Sequence, residues 1–291
     1  NGVVGLKPTY GRVSRYGVLP LAQSLDHIGP FTRSSIDAAV VFDAISGFDS
    51  NDSTSLKDSL KPVLEGINRG VKGLSIGFDH NYGLDSVDPQ LSEAMAKALI
   101  TLEELGAEVK EVSIPHWTEE EQKAWLTICI FEAFVAQRNV YPEALRGNYS
   151  DGMLKEFLDQ GACISDSEYI DAMRIRDLFT RRFKSSLAGI DSLACSSGGV
   201  PFPFCLSSQY GGTHELKPLL EKIEQEFVEP ANFTGMPTLS IRCGISDEGL
   251  PLTMQLISHR LDESVLFRIG HLYDEVSGWY QHHPQDVLQP I

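Results

Sequence analysis

The stretch 73–114 restricts the possible folds more than any other part of the chain. Gly73-Leu74-Ser75-Ile76-Gly77-Phe78 has the composition of a strand. Asp88-Pro89 then opens a helix, with a capping carboxylate followed by a proline in the first turn, and Leu91, Met95, Ala98, Leu99, Leu102 and Leu105 recur along one face at helical spacing. Gly106 closes that helix, and residues 108–114 read as a second strand. A strand, an amphipathic helix and a strand in that order form a parallel crossover. The expected fold class is therefore α/β, a mixed central β-sheet covered by helices.

The rest of the chain extends this pattern. Residues 1–29 are rich in glycine and short apolar words (Val3-Val4, Val18-Leu19-Pro20) and read as strands and turns. Ser34 and Asp37 form a capping box ahead of a helix of about three turns that ends near Gly47. Thr118 and Glu121 cap another helix, in which Ala124, Ile128, Phe131 and Val135 keep helical spacing. A long helix over 167–187, with Tyr169, Met173 or Ile175, Phe179 and Phe183 inward, leads past Gly189 into an apolar strand over 190–195. After a Gly/Pro-rich loop over 196–212 and a short helix near 219–228, strands over 238–243 and 250–257 form a pair. The last helix starts at Asp262-Glu263 and carries a stripe of Val265, Ile269, Leu272, Val276 and Trp279. No repeat interrupts the sequence, so one domain over 1–291 is expected.

Charge narrows the function classes. The chain holds 24 Lys and Arg against 40 Asp and Glu, a net charge of -16, which repels a phosphate backbone and argues against direct binding of nucleic acid. No run approaches the ~18 apolar residues of a membrane-spanning helix, so no membrane partner is expected. Five scattered cysteines without a C-x-x-C pair fit a reducing compartment, which makes the cytoplasm the expected location and leaves Cys195 and Cys205, on either side of one loop, as free thiols. His282 and His283 are adjacent, a spacing that does not converge on a metal, and no metal ligand set is expected.

Gly2-Val3-Val4-Gly5-Leu6-Lys7-Pro8-Thr9 could be taken for a phosphate-binding loop, but it lacks the G-x-x-x-x-G-K-[ST] pattern and no helix follows its glycines. Tight turns and close strand packing explain those glycines better. The same words carry a more specific match. From Gly2 through Tyr10-Gly11-Arg12-Val13-Ser14, and then Ser24-Leu25-Asp26-His27-Ile28-Gly29-Pro30-Phe31-Thr32-Arg33, the chain resembles the segment that follows the nucleophile motif in the amidase-signature family. Pro230-Ala231-Asn232-Phe233-Thr234-Gly235-Met236-Pro237, Gly249-Leu250-Pro251-Leu252-Thr253-Met254-Gln255 and Asp262-Glu263-Ser264-Val265-Leu266 extend the resemblance in the same order over essentially the whole chain.

The resemblance implies hydrolysis or transfer of amide groups with a serine nucleophile in a Gly-Gly-Ser motif, a second serine and a lysine, and no metal or organic cofactor. None of that machinery is recognisable in these 291 residues, so the expectation is a fold of amidase-signature type that is incomplete on its N-terminal side, inactive alone, with the missing segment of the same enzyme as a partner. Asn1-Gly2-Val3 begins without methionine, as though inside a folded element. Two alternatives are the A subunit of the tRNA-dependent glutamine amidotransferase, which residues 10–17 resemble well, and a non-catalytic binding module. Asn1 stands where relatives often have cysteine and Arg242 where many have proline, so the turn beside the last hairpin is expected to differ.

No catalytic residue is assigned within the chain. Lys7 is read as structural or salt-bridging, Ser14, Ser24, Ser196 and Ser197 as turn hydroxyls, and Asp26 and Arg33 as a structural polar network. Phe131, Phe202 and Phe204 are the candidate substrate-binding residues, as aromatics able to line an acyl pocket at strand ends and the loops that follow them. The expected ligand is a small-molecule amide, and a second copy of the chain is an allowed partner.

Overall fold

The structure is a computed structural model and describes residues 2–58, 61–85, 87–138, 152–198 and 227–282. Its strands are β1 (Val4–Lys7), β2 (Phe31–Thr32), β3 (Ser75–Phe78), β4 (Glu108–Glu111), β5 (Ser192–Ser196), β6 (Thr238–Ile245) and β7 (Pro251–Ser258). They form one sheet in the order β2-β1-β6-β7-β5-β3-β4. The β3/β4 and β3/β5 pairs are parallel and the others antiparallel, so the sheet is mixed, as expected.

Helices cover the sheet: α1 (Ser35–Ile45), α2 (His80–Gly83), α3 (Pro89–Glu104), α4 (Glu119–Gln137), α5 (Gly152–Gly161), α6 (Asp166–Ser186), α7 (Glu229–Thr234) and α8 (Glu263–Ser277). Their starts follow from local chemistry. The Ser34 hydroxyl accepts from Asp37 N–H, Asp88 accepts from Gln90 N–H ahead of Pro89, and Thr118 with Glu121 and Ser165 with Glu168 make capping boxes.

Strand alternation sorts the two faces of the sheet. Register places Leu6 opposite Leu239 and Leu239 opposite Leu256, so these residues share one face, against α1, α3 and α8. Phe42 of α1 meets Phe267 of α8 there, ring centroids 5.9 Å apart. The other face carries Gly5 opposite Ser240 and Ser240 opposite Gln255, with Lys7 opposite Thr238. Small and polar residues in that central row leave room in front of it, and α4, α5 and α7 stand across the gap.

Three readings of the apolar pattern are corrected. Val18-Leu19 is not strand: both residues are exposed, in a turn that Gly17 enters at φ +83° and Val18 N–H closes onto Arg15 O. On α4, Val135 is exposed while Glu132 and Gln137 are buried, because the helix turns a polar edge toward the 20–26 loop. On α8, Val276 is exposed and Leu266, Phe267 and Tyr273 are buried, since this helix touches the sheet, α1 and the 3-10 segment Val63–Arg69 over a broad arc. Arg242 sits at a register shift in the β6/β7 pair and donates to the carbonyls of Gly2 (2.9 Å) and Trp279 (3.2 Å), so the departure from proline has a structural use.

Gly29 is a sharp test of the packing around β1. A Cβ added there would lie 1.9 Å from the carbonyl oxygen of Leu6, a backbone atom that accepts no such contact. Gly29→Ala is expected to cost roughly 1–3 kcal/mol, read by urea unfolding; an unchanged midpoint would show that this approach is not maintained.

Candidate functional site

The gap in front of β1, β6 and β7 is a cavity of ≈ 600 Å³, a size that holds a small organic molecule. Its walls include Trp125 and Cys129 of α4, Phe157 of α5 and Phe31 of β2, and its polar atoms come from a few residues, Lys7, Asp26, Glu229, Asn232 and Gln255 among them.

One side of the cavity is the 22–28 loop, held by side chains from three helices. Ser24 N–H donates to Glu132 (2.6 Å), and Arg176 donates to the Ser24 hydroxyl (2.7 Å), the Ser24 carbonyl (2.9 Å) and the Phe233 carbonyl (2.7 Å). Tyr169 donates to the second Glu132 oxygen (2.7 Å), and Gln137 to Pro20 O (2.7 Å). From α7, Asn232 donates to Leu25 O (2.8 Å) and accepts from the Trp125 indole (3.2 Å). Asp26 accepts from Leu21 and Ala22 N–H, which fixes the turn as expected, whereas Arg33 is exposed. His27 is neutral, because burial, then the Lys7 charge, lowers its pKa to about 3; its Nδ1–H donates to Leu25 O (2.7 Å).

Lys7 donates to the carbonyls of Pro8 (3.3 Å) and Met236, and burial lowers its pKa to about 7 against the opposing pull of Glu263. Ser14 donates to Asp49 (2.7 Å) in a surface turn, and Ser197 to Thr253 O (3.4 Å). Burial, then the carboxylates of Asp26, Glu132 and Glu229, raises the Cys129 thiol to about 11; it stays protonated at neutral pH and is a poor nucleophile. Among the described residues the cavity can bind and orient a ligand; Lys7, its lowered pKa notwithstanding, is held by the Pro8 and Met236 carbonyls, and the Cys129 thiol stays protonated.

Phe131 does not reach the cavity wall. Its ring stacks on Tyr169 with centroids 4.5 Å apart, and Trp125 and Cys129 present to the cavity instead. Two residues along an α-helix turn through about 200°, so Cys129 and Phe131 point to nearly opposite sides. Phe202, Phe204 and Cys205 lie outside the described residues, as does most of the 196–212 loop, while Cys195 is buried in β5 and its Sγ accepts from Gln255 (3.5 Å).

Sequence reasoning missed Glu229, the least conventional group in the cavity. It is 5% exposed, its Oε2 accepts from the Trp117 indole (2.7 Å), and burial raises its pKa from 4.5 to about 7. The only sequence signal is a carboxylate directly before Pro230, which is also what a helix start would show. Because the folded value lies above the unfolded one, the folded chain keeps a proton that the unfolded chain has lost. This contribution to stability is present below about pH 4.5 and lost as pH rises through about 7. Relative to Glu229→Gln, the native chain should therefore lose stability between pH 5 and 7.5, by at most about 1.4 kcal/mol per pH unit. Urea unfolding of both proteins across that range checks it, and a pH-independent gap would refute it.

Comparison with known proteins places this geometry in context. The family model described as Amidase matches residues 1–267. The chain is 35% identical to an amidase of Pseudomonas putida over 97% of its own length and 60% of the relative's. It is 32% identical to the A subunit of the glutamyl-tRNA(Gln) amidotransferase of a Cyanothece species, over 98% of its length and 62% of the relative's. The crystal structure of the corresponding A subunit from Thermotoga maritima is similar with a TM-score of 0.71 and 29% identity, covering 92% of this chain and 57% of that one. A 6-aminohexanoate cyclic dimer hydrolase shares the fold, with a TM-score of 0.82 at 21% identity, covering 98% and 62% of the two chains. The chain thus spans less than two thirds of the length of these curated relatives.

Proposed function

The chain belongs to the Amidase family, and from that membership we propose that it is the substrate-facing portion of an amidase that hydrolyses the carbon-nitrogen bond of a small amide. The observation that carries this reading is the ≈ 600 Å³ cavity, built on the family-matched segments β1, α7, β6 and β7 and mostly apolar with a few polar points. On this proposal the serine nucleophile, its second serine and its lysine come from a segment outside these 291 residues, and the oxyanion donors with them. The amide would lie with its acyl or amine substituent against Trp125 and Phe157. Phe202 and Phe204 remain proposed contacts, and Phe131 is proposed to act only through its stack on Tyr169.

We place the protein in the cytoplasm on the free thiols of Cys129, Cys163 and Cys243; among the described residues no helix is long and apolar enough to cross a membrane. Dimerisation with a second copy, and the absence of direct contact with nucleic acid at a net charge of -16, belong to the same proposal.

The test compares the 291-residue chain alone with the same chain fused behind a segment bearing the Gly-Gly-Ser motif and the lysine. The chain alone should release no amine from a chromogenic anilide above the buffer rate. The fusion should turn over, keep its activity in EDTA and lose it to a serine-directed reagent. Zinc-dependent recovery after chelation would refute the mechanism, and a fusion that folds and binds amides without turnover would favour the non-catalytic module. A second reading, the A subunit of a glutamine amidotransferase, is favoured by the Cyanothece and Thermotoga similarities. Ammonia release confined to glutamine, and dependent on a partner protein, would select it.

A further inference from the structure

We propose that Glu229 sets the specificity of the cavity by selecting ligands in which a short apolar body carries a primary amine. This rests on the reading of the cavity as a substrate site and assigns to that site a substrate class.

The polar groups of the cavity are not equivalent. Lys7 spends its N–H donors on the carbonyls of Pro8 and Met236, and Asp26 is occupied by the N–H groups of Leu21 and Ala22. The amides of Asn232 and Gln255 are committed to Leu25 O and Phe227 O. Glu229 differs, because a carboxylate has about four acceptor positions and, among the described residues, only the Trp117 indole donates to it. Its side chain is buried, it lines the cavity, and no cationic partner reaches it among the described residues. Burial raises its pKa to about 7, the behaviour of a carboxylate with no counter-charge.

An ammonium group would supply what this site lacks, a positive charge and several N–H donors, in an environment where charge-assisted hydrogen bonds are strong. Trp125 and Phe157 would take the apolar body. A carboxylate-bearing ligand would meet Asp26 and Glu229 together and be repelled.

Isothermal titration tests this with 4-phenylbutylamine and its neutral isostere 4-phenylbutan-1-ol, at pH 8, on the 291-residue chain and on Glu229→Gln. The amine should bind the native chain roughly tenfold or more tightly than the alcohol. In Glu229→Gln the ratio should fall to about one with the alcohol affinity unchanged, since the glutamine carbonyl still accepts from Trp117. Trp117→Phe keeps the carboxylate and should keep the amine preference, which preserves the test if the glutamine variant does not fold. Equal affinities in the native chain, no binding of either probe, a preference that survives Glu229→Gln, or one that vanishes in Trp117→Phe would each overturn the proposal. The readout is binding, so a missing preference leaves the proposed amide hydrolysis standing, and missing hydrolysis leaves the preference standing.

Discussion

Glu263→Ala should destabilise the fold by about 3–5 kcal/mol, because it strands a buried guanidinium. Glu263 accepts from Arg12 at 2.9 Å and from Thr9 N–H at 2.8 Å, and both side chains of the ion pair are nearly inaccessible to water. Arg12 also lies 4.9 Å from the centre of the Phe42 ring, so it has no route to solvent that keeps this packing. The same carboxylate opposes the desolvation of Lys7, whose charged form would become still less favourable without it. Glu263→Gln, which keeps an acceptor for Thr9, should cost less. Removing the stranded charge as well, in Glu263→Ala with Arg12→Met, should recover part of the loss. Chemical denaturation of the four proteins gives the answer; a loss below about 1 kcal/mol in Glu263→Ala would mean that water reaches Arg12.

Phe179→Ala is expected to cost a similar ~3–5 kcal/mol, by cavity formation in the cluster between α6 and α7. The Phe179 ring is fully buried, 5.0 Å from Trp117 edge-on and 5.7 Å from Phe183, and Phe233 leans on it at 6.1 Å. The energetic link leads to the ligand cavity, since Trp117 is the donor to Glu229. A loosened indole should therefore also weaken ligand binding at temperatures well below unfolding. Thermal unfolding with parallel titration separates the two effects, and a variant that loses neither would show that the cluster repacks.

What the sequence displays and what it conceals differ by the range of the interaction. Ser34, Asp88 and Thr118 are legible as helix starts because a cap is completed within three residues. The crossover from β3 through α3 to β4 is legible because Leu91, Met95, Ala98, Leu99 and Leu102 recur along one buried helix face. The orientation of Phe131 is concealed for the opposite reason. Which side of α4 meets the cavity depends on Glu132 and Gln137 reaching the 20–26 loop more than a hundred positions earlier, and no periodicity records that. Glu229 and Trp117, 112 positions apart, are likewise invisible as a pair.

The pairing of β1 with β6 also has a consequence in time. Lys7 lies opposite Thr238, so β1 cannot find this neighbour until more than two hundred further residues have been synthesised. At ordinary elongation rates that wait is on the order of 10–50 s. During it β1 has only the two-residue β2 to pair with, and the glycine and lysine between and beside Val4 and Leu6, with Pro8 next in line, make its open edge a poor template for the wrong neighbour.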